Sequence, residues 1–359
     1  MEASKRVRAA LVGCGRIADR HAKILASLAE VELVAVVDPI RERRERFAQQ
    51  FGGRPYPDLD GMLATEHPEL VDICTPSGMH AEEALRAARA GVPNLVVEKP
   101  MALRLADADE MIRVCDERGV KLFVVKQNRY NLPIVKLRAV LDEGRFGKLV
   151  LGTVRVRWCR RQSYYDQDAW RGTWAQDGGV FGNQASHHVD MLTYMMGPVS
   201  SLAAMAATQL VKIEAEDTGV VVLRFANGAL GVIEATTAAR PKDLEGSVSI
   251  LGEHGTVEVG GFAMNEIKVW EFAERRPGDA DVMERYRTNP PDVYGFGHHT
   301  YLMDVLRCIK ENLPPVVDGR EGRKSLELIH AIYESAETGT EIALPLIPRH
   351  SRLGVAARS

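Results

Sequence analysis

The chain has 359 residues, which is too long for one ordinary hydrophobic core and predicts two domains. Its composition is 45% hydrophobic and 26% charged with a formal charge of -3, which is typical of a globular protein and gives no general attraction to nucleic acid or to an anionic membrane. Five scattered cysteines without a C-x-x-C pair, and no apolar run long enough to cross a bilayer, favour a location in the reducing cytoplasm.

Short apolar runs alternate with longer segments of helical period as far as about Gln127. The runs are nearly continuous in Val, Leu and Ile, which is typical of parallel strands covered by helices on both faces. The pattern predicts an α/β Rossmann domain with a doubly wound parallel sheet over residues 1–127. Its predicted strands are Val7–Val12, Val31–Val37, Val71–Thr75, Leu95–Val97 and Lys121–Val125, and its predicted helices are Ala18–Leu28, Arg41–Phe51, Ala81–Ala90 and Ala106–Arg118.

The pattern changes after Asn128, because apolar residues alternate at a period of two from Val150 to Trp158. This predicts an α+β domain over residues 128–347, with a large open-faced, mostly antiparallel sheet and helices on one face. The open face would be buried against another subunit, so we expect a homo-oligomer, a dimer or a tetramer, with residues 348–359 as a flexible tail. The further strands are Gly219–Phe225, Ala229–Thr237, Ser247–Leu251 and Ile267–Phe272, and the helices are Gly182–Met196, Thr300–Asn312 and Gly322–Thr338.

A glycine-rich loop follows the first predicted strand. Gly13-Cys14-Gly15-Arg16-Ile17-Ala18 matches G-x-G-x-x-G/A, whose glycines permit a tight turn and the approach of a pyrophosphate to the start of a helix. Asp38 ends the second strand about twenty residues later, where a carboxylate can accept hydrogen bonds from an adenosine ribose. The motif predicts NAD rather than NADP, although three nearby arginines soften that preference. In the alternative interpretation, Asp38 merely begins a turn before Pro39.

A charged pair ends an otherwise apolar strand at Leu95-Val96-Val97-Glu98-Lys99-Pro100. The carboxyl ends of strands are where open α/β sheets bind ligands. The Lys99 ammonium could hydrogen-bond a substrate hydroxyl and stabilise the alkoxide that develops as hydride leaves the carbon. The alternative is a surface ion pair between Glu98 and Lys99.

Small residues lead into a predicted helix between Asp177 and Asp190. Asn183, His187 and Asp190 are spaced by four and three residues, which places them on one helix face. A histidine there can act as a general base whose neighbours fix its tautomer. A metal site is the rival interpretation, but no third cluster of ligands accompanies it and we expect no metal. His188 points to another face and is expected to be structural.

Together these motifs resemble those of the glucose-fructose oxidoreductase/inositol dehydrogenase (Gfo/Idh/MocA) family. The resemblance rests on the glycine loop, Cys74-Thr75-Pro76-Ser77-Gly78-Met79-His80, the Glu98-Lys99-Pro100 triplet and the Gly-Gly to His187 segment, and it covers nearly the whole chain. It implies hydride transfer at a sugar-like carbinol, with Lys99 and His187 as catalytic residues. It implies that NAD is bound by Gly13, Gly15, Arg16, Ile17, Asp38, Thr75, Pro76, His80, Glu98, Lys99 and Gln127.

One position departs from this family pattern. Many members have an aspartate four residues before the histidine, whereas this chain has Asn183. An amide cannot exchange a proton, so a proton relay through this position is doubtful. We expect Asn183 to orient the substrate.

Three segments resemble one group within the family more closely, the WlbA/WbpB group. They are Lys126 to Asn131, Trp158 to Gly172 and Asn183 to His188. Members are UDP-N-acetyl-2-amino-2-deoxyglucuronate dehydrogenases, which oxidise the sugar 3-hydroxyl to a ketone for the lipopolysaccharide O-antigen of bacterial surfaces. The resemblance implies that this substrate is bound by Lys99, Arg129, Asn131, Arg160, Tyr165, Trp170, Arg171, Asn183 and His187.

Arginines among aromatic residues suit such a substrate, because a guanidinium binds a diphosphate or a carboxylate in bidentate geometry. In the alternative interpretation, the tryptophans are core anchors and the arginines lie on a solvated sheet face. Two other functions stay open: a dehydrogenase of a free sugar or inositol in the same family, and a non-catalytic NAD-binding regulator. The segment Tyr294 to His299 has no assigned role.

Overall fold

The computed structural model describes residues 6–287 and 295–355, and the chain divides into two compact units. The first unit comprises Met1–Val125 with His299–Arg323, and the second comprises Lys126–His298 with Lys324–Ser359. The sequence pattern instead predicted two continuous ranges divided at residue 127. Residues 299–323 join the first unit because the Val124 amide donates to Val317 O at 3.0 Å beside its sheet. Helical periodicity identifies a helix but not the sheet on which it packs.

The first unit contains a six-stranded sheet in the order β3-β2-β1-β4-β5-β6, and all of its strand pairs are parallel. This confirms the predicted Rossmann fold. β3 was not predicted, because three residues are too few to show a period. The strands are β1 Val7–Val12, β2 Val31–Val37, β3 Arg54–Tyr56, β4 Leu70–Ile73, β5 Asn94–Val97 and β6 Lys121–Val124. The helices that follow them are α1 Arg16–Ser27, α2 Arg41–Phe51, α3 Leu59–Glu66, α4 His80–Arg89 and α5 Leu105–Arg118.

A buried cluster joins the first two helices to the sheet. Leu11 and Val36 of β1 and β2 are fully buried against Ala18 and Ala22 of α1 and Phe47 of α2. Small alanines on the inner face of α1 let the helix lie close to the strands. This close packing fixes the start of α1 beside the end of β1.

The second unit contains an eight-stranded sheet in the order β13-β12-β11-β7-β10-β9-β8-β14. Its pairs are antiparallel except for β7 and β10, which run parallel, so the predicted mostly antiparallel sheet is confirmed. β8, β12 and β14 were not predicted. The strands are β7 Leu149–Arg157, β8 Val199–Ala207, β9 Thr218–Phe225, β10 Leu230–Thr236, β11 Glu245–Gly252, β12 Gly255–Gly260, β13 Glu266–Phe272 and β14 Ile342–Ala343.

Helix packing in the second unit depends on two glycines of the sheet. A Cβ at Gly152 would lie 2.6 Å from Met196 Cγ, and one at Gly246 would lie 2.9 Å from His188 Nε2. Glycine therefore lets the helix that carries His187 lie directly on β7 and β11. The remaining helices are α6 Leu132–Asp142, α7 Gln162–Tyr165, α8 Ser186–Met196, α9 Val282–Arg285, α10 Gly297–Lys310 and α11 Gly319–Thr338, of which most of α10 and the start of α11 belong to the first unit. None of the helices in the described residues is long and apolar enough to span a membrane.

Apolar side chains stand exposed on one face of this sheet. Met205 pairs with Val220 across β8 and β9, and Val222 and Leu230 continue the same face on β9 and β10. All four are exposed, Met205 to 77% of its surface. We call these four residues the open-face patch.

The C-terminal segment differs from the predicted flexible tail over the residues that are described. Leu353 is buried, and the Gly354 amide donates to Trp174 O at 2.8 Å. Arg352 lies over the Trp174 ring, 4.5 Å from its centroid. The segment is rich in Arg and Ser, a composition that gave no indication of these contacts. Residues 356–359 lie outside the described range.

Candidate functional site

The glycine loop after β1 leaves open space at the start of α1. Gly13 has φ +92, and a Cβ there would lie 2.7 Å from Cys74 O, so the turn requires glycine. Gly15 is the N-cap of α1 and makes no side-chain cap, and a Cβ at Gly15 would meet nothing within 4 Å. The N–H groups at this helix start suit a pyrophosphate. Arg16 is exposed beside the loop, whereas the Ile17 side chain packs against the buried cluster.

Asp38 ties the end of β2 to the glycine loop. Its Oδ2 accepts a hydrogen bond from the Cys14 amide at 2.9 Å, and its Oδ1 accepts one from the Ile40 amide at 2.9 Å. Each carboxylate oxygen has a second lone pair, so both can still accept a ribose hydroxyl. Asp38 therefore makes the turn that the alternative interpretation described, and this turn leaves the predicted ribose contact possible.

A second loop follows β4 with an unsatisfied hydroxyl. Thr75 Oγ1 is buried and has no hydrogen-bond partner among the described residues. His80 lies 2.8 Å from Thr75 O through Nε2 and 2.7 Å from Pro100 O through Nδ1. His80 thus links the loop after β4 to the loop after β5. The Thr75 hydroxyl is available to a polar ligand, as the resemblance implies.

Behind Lys99, a histidine of α1 lies between two carboxylates. His21 Nδ1 is 2.8 Å from Asp72 Oδ2, and His21 Nε2 is 3.1 Å from Glu98 Oε1, with all three side chains buried. Glu98 Oε2 accepts a hydrogen bond from the Lys99 amide at 2.9 Å. Burial alone would lower the pKa of His21, but Asp72 and Cys74 raise it well above its ordinary value. An imidazolium with a donor on each ring nitrogen therefore fixes the turn at Lys99.

The same cluster contains residue types that bind metals. His21, Asp72 and Cys74 each offer a ligand atom, and these atoms lie within 4.8 Å of one another. Burial raises the pKa of the Cys74 thiol, so it stays protonated, whereas a metal binds the thiolate. Both ring nitrogens of His21 face carboxylate oxygens. The geometry is that of a buried ion pair.

In the second unit, His187 is the second residue of α8. Its Nε2 lies 3.0 Å from Gln127 Nε2, and both side chains are buried. An amide nitrogen can only donate, so His187 Nε2 holds a lone pair and the neutral ring carries its proton on Nδ1. Gln127 Oε1 has no hydrogen-bond partner among the described residues. The neutral ring is the form that can take a proton from a hydroxyl.

Asp190 is paired with two cations of the Lys126 to Arg129 segment. Arg129 binds it in bidentate geometry, at 2.9 Å to Oδ2 and 2.8 Å to Oδ1, and Lys126 Nζ lies 3.4 Å from Oδ1. Burial would raise the pKa of Asp190, but these cations hold it below its ordinary value. Arg129 also lies over the Tyr194 ring, 4.3 Å from its centroid. Arg129 is thus committed to Asp190, which competes with its implied substrate role.

Asn183 does not lie on the regular helix that its spacing predicted. Residues Val180–Gln184 form a π-helical turn, and α8 begins at Ser186. The side-chain Nδ2 of Asn183 donates to Asp177 Oδ1, and Asp177 Oδ2 accepts from the Gly172 backbone amide at 2.8 Å. A π-turn breaks the spacing of the α-helix and often occurs at functional sites. An acidic side chain therefore does lie beside Asn183, six residues earlier in the chain.

Two arginines lie close to this turn, linked by a tyrosine and a glutamine. Arg171 Nη1 donates to Tyr164 Oη at 2.8 Å, and Gln184 Nε2 donates to the same oxygen at 2.9 Å. Arg160 Nε donates to Gln184 Oε1 at 3.0 Å, and Gln184 Nε2 also lies 3.2 Å from Asn183 Oδ1. Asp243 and Asp168 each bind one of the arginines, at 2.9 and 3.0 Å. We call Arg160, Tyr164, Arg171 and Gln184 the arginine cluster.

Aromatic rings hold both guanidinium groups. Arg171 lies over Trp170 and Tyr164, at 4.5 and 4.7 Å from the ring centroids, and Arg160 lies over Trp158 at 5.3 Å. Arg171 also borders a cleft of about 530 Å³. The rings fix the planes of the two guanidinium groups. Each group also binds an aspartate, so an anion would be bound by the N–H groups that Asp243 and Asp168 do not use.

Other implied substrate residues make internal contacts. Tyr165 is buried with its hydroxyl 3.1 Å from Thr237 Oγ1, and burial raises the pKa of Tyr165 to about 12. The side-chain Nδ2 of Asn131 donates to Ala263 O at 3.2 Å. His188 is fully buried against Trp158, and burial lowers its pKa to about 3, so it is structural and neutral. Of the unassigned segment, Tyr294 lies outside the described residues, and α10 begins at Gly297.

Several site residues were not identified from the sequence. Tyr164 was missed although its neighbour Tyr165 was predicted, because the two are adjacent in a four-residue helix, where no period decides which side chain is buried. His21 is one turn beyond the glycine motif, and its partners are Asp72 in β4 and Glu98 directly after β5. The signal that was available is the polar character of Asp72 within an otherwise apolar strand, since a buried carboxylate requires a partner.

Comparison with known proteins agrees with this arrangement. A model described as the oxidoreductase family's NAD-binding Rossmann fold matches residues 7–126, and one described as its C-terminal alpha/beta domain matches residues 138–344. The WlbA dehydrogenase from Bordetella pertussis, solved with NADH and UDP-GlcNAcA, is 45% identical, with a TM-score of 0.89, over 95% of this chain and 98% of that one. The WlbA dehydrogenase from Chromobacterium violaceum, solved with the same two molecules, is 43% identical, with a TM-score of 0.90, over 96% and 98%. The D-apiose dehydrogenase of Paraburkholderia graminis is 28% identical over 95% of this chain and 90% of its own length.

Proposed function

Because the chain belongs to the Gfo/Idh/MocA family and is an NAD-dependent dehydrogenase of the sugar and inositol class, we propose that it oxidises the 3-hydroxyl of UDP-N-acetyl-2-amino-2-deoxyglucuronate. The product is the 3-keto sugar, made for lipopolysaccharide O-antigen synthesis. The arginine cluster carries the proposal, since a diphosphate and a carboxylate require fixed guanidinium groups. The two similar WlbA enzymes were solved with UDP-GlcNAcA.

The residues of the first unit fit NAD. The open space at Gly15, the buried carboxylate of Asp38 and the unsatisfied hydroxyl of Thr75 are the groups that a dinucleotide would use. NAD, when bound, supplies the carbon that accepts a hydride. Asp38 favours a ribose with free hydroxyls over one with a 2′-phosphate.

His187 is the proposed general base. Its Nε2 holds a lone pair toward the Gln127 amide. A sugar hydroxyl that takes the place of this amide would donate its proton to Nε2, and the hydroxyl oxygen would then develop negative charge. His187 would be left as an imidazolium.

Lys99 is proposed to stabilise the charge on that oxygen. Its backbone is fixed by Glu98, which in turn is fixed by His21. An ammonium held in place needs little rearrangement when the charge develops, so it stabilises the alkoxide more than the alcohol. Asn183, held by Asp177, is proposed to orient the sugar.

Steady-state kinetics with NAD and the UDP-sugar tests these roles. We expect Lys99→Ala and His187→Ala to lower kcat by about 100-fold or more, since each removes a group that acts in the transition state. Lys242→Ala and His254→Ala, which change exposed residues of the same types, serve as controls. Near-normal turnover by Lys99→Ala or by His187→Ala would refute the role of that residue.

The arginine cluster is tested by substrate comparison. Arg171→Lys should raise KM for the UDP-sugar by about tenfold with little change in kcat, because a lysine keeps the charge but not the bidentate geometry. Unlinked N-acetylglucosaminuronate should bind poorly to either form. Equal turnover of UDP-linked and unlinked sugars would instead favour the second candidate, a free-sugar or inositol dehydrogenase, which the similarity to D-apiose dehydrogenase supports.

A non-catalytic regulator would give a third result, namely tight NAD binding without NAD reduction by any sugar nucleotide. The presence of Lys99, Glu98 and His187 argues against it, because a regulator needs no base. Isothermal titration with NAD, run beside the kinetic assay, separates this outcome from a poorly folded preparation.

A further inference from the structure

A buried polar pair lies behind the π-helical turn that carries Asn183 and leads into α8. Glu216 lies two residues before β9 and Tyr333 lies in α11, and both side chains are buried. The Tyr333 hydroxyl donates to Glu216 Oε1 at 3.1 Å. Neither residue belongs to the substrate or cofactor sets described above.

Four consecutive backbone amides of the turn bind this pair. The Val180 amide donates to Glu216 O at 2.9 Å, and the Phe181 amide donates to Glu216 Oε1 at 2.8 Å. The Gly182 and Gly179 amides donate to the Tyr333 hydroxyl at 2.9 and 3.3 Å. The amides of residues 179–182 are thus held by two residues.

The glycines of the turn make room for the pair. A Cβ at Gly179 would lie 2.1 Å from Glu216 O, and one at Gly182 would lie 3.0 Å from the Tyr333 hydroxyl. Gly178 has φ +80, which favours glycine on its own account. The Gly-Gly-x-x-Gly pattern is therefore explained by the approach of Glu216 and Tyr333 to the backbone.

The backbone of the turn determines where Asn183 and His187 lie. The Ala185 amide donates to Val180 O at 2.7 Å, and Ser186 Oγ donates to Asn183 O at 2.9 Å, so the turn continues directly into α8. His187 follows after one further residue. A shift at the amides of residues 179–182 would therefore move both Asn183 and His187.

We infer that Glu216 and Tyr333 are positioning residues, which set the placement of His187 and Asn183 through the backbone of the turn. The inference rests on the proposed function, because it assumes that His187 is the base. Tyr333 contributes more to this positioning than Glu216, because its hydroxyl group accepts hydrogen bonds from two glycine amides and donates one to Glu216.

The test compares Tyr333→Phe with a matched tyrosine variant. Tyr333→Phe leaves the Gly179 and Gly182 amides without their acceptor, and we expect kcat to fall by about 10- to 100-fold with KM for NAD unchanged. Tyr56→Phe is the control. It also removes a hydroxyl that donates to a partly buried carboxylate, that of Glu66 at 2.6 Å in the first unit, and it should leave kcat within about twofold. Glu216→Gln keeps a carbonyl acceptor for the Phe181 amide and should retain most of kcat. A folded Tyr333→Phe variant with normal kcat would overturn the inference.

A double variant separates positioning from a general loss of structure. If Tyr333 acts through His187, then Tyr333→Phe should lower kcat little further in a His187→Ala background. Equal losses in both backgrounds would mean that Tyr333 acts on structure alone. If His187→Ala by itself keeps normal turnover, the proposed function fails, and this result is read without any Tyr333 variant.

Hydrogen exchange on the unmodified protein gives a measurement that needs no variant. The amides of Gly179, Phe181 and Gly182 should exchange as slowly as those of β9. Rapid exchange at these three amides would overturn the inference even if Tyr333→Phe did not fold.

Discussion

In both units, buried polar groups lie behind the candidate catalytic residue. They are charged in the first unit, whereas the donors in the second unit are neutral. Behind Lys99, His21 lies between Asp72 and Glu98, so buried charges of opposite sign face one another. Behind His187, Glu216 is held by a hydroxyl and a backbone amide, which are neutral donors. Burial accordingly raises the pKa of Glu216 to about 7. The difference shows that a buried carboxylate stays ionised near a cation and otherwise tends to keep its proton.

The two sheets also differ in how fully their faces are covered. The parallel sheet of the first unit has strands such as β4 and β5 that are buried throughout. The sheet of the second unit leaves the open-face patch exposed. The first unit thus satisfies its sheet internally, whereas the second presents a surface that another subunit could cover.

Two fully buried histidines provide the strongest test of the charge comparison. His21→Leu leaves Asp72 and Glu98 without their cation, and we expect a loss of about 3–5 kcal/mol in the free energy of unfolding, measured by urea denaturation. His188→Leu is the control, since His188 is neutral and its ring nitrogens have no hydrogen-bond partner among the described residues. Similar losses in both variants would contradict the ion-pair description.

The stabilisation by His21 also has a defined pH dependence. Because its folded pKa is raised above 6.5, its contribution is fully present below pH 6.5 and is lost as the pH rises through the folded value. The gap between the wild type and His21→Leu should therefore narrow at alkaline pH. A gap that widened would indicate that the ring is neutral in the folded protein.

Glu216→Gln tests the buried carboxylate whose donors are neutral. Because the pKa of Glu216 is raised from 4.5 to about 7, folding becomes less favourable as the pH rises between these values. The glutamine does not ionise, so the stability of the variant relative to wild type should improve by about 3 kcal/mol between pH 4.5 and pH 8. Denaturation at the two pH values measures this change, with Glu245→Gln, at a partly buried carboxylate paired with arginine, as the control. A pH-independent difference would show that Glu216 is already ionised at pH 4.5.

The open-face patch tests the comparison of the sheets. We expect a homo-oligomer, and Val222→Lys should weaken its assembly by about 2 kcal/mol, or roughly 30-fold in the dissociation constant. Sedimentation velocity over a dilution series measures the shift. Leu132→Lys makes the same kind of change at an exposed residue of α6 and should leave assembly unaltered. An unchanged mass for Val222→Lys would place the interface elsewhere.

The smallest expected effect is that of Asn183→Asp. The new carboxylate would lie against Asp177 in place of an amide donor, which should cost about 1 kcal/mol in stability at pH 8. Thermal unfolding of the variant beside the wild type measures it, and an unchanged unfolding temperature would indicate that the two side chains separate.

The sequence predicted the parts of the fold that depend on neighbouring residues. β1 and β2 were predicted to the residue because strands buried on both faces form continuous apolar runs. β8 was missed because its apolar positions do not alternate, with Met205 exposed on the open face. The assignment of residues 299–323 required tertiary contacts that no local pattern contains.

The same limit applies to the candidate site. Gly13, Gly15 and Asp38 were predicted because a motif of fixed spacing identifies them. The contacts between His21 and Glu98 and between Tyr333 and Glu216 were not predicted, because the partners are 77 and 117 residues apart in the sequence. Within the second unit, a π-turn invalidated the spacing by which Asn183 had been placed on the helix of His187.

The burial of Leu353 has a practical consequence for work with this protein. A Cβ at Gly178 would lie 2.9 Å from Leu353 Cδ1, so the C-terminal segment packs against the glycine turn. Cleavage between Arg349 and Leu353 would therefore remove Leu353 from its contact with the turn. Activity lost on storage should therefore first be checked by intact-mass spectrometry for C-terminal trimming.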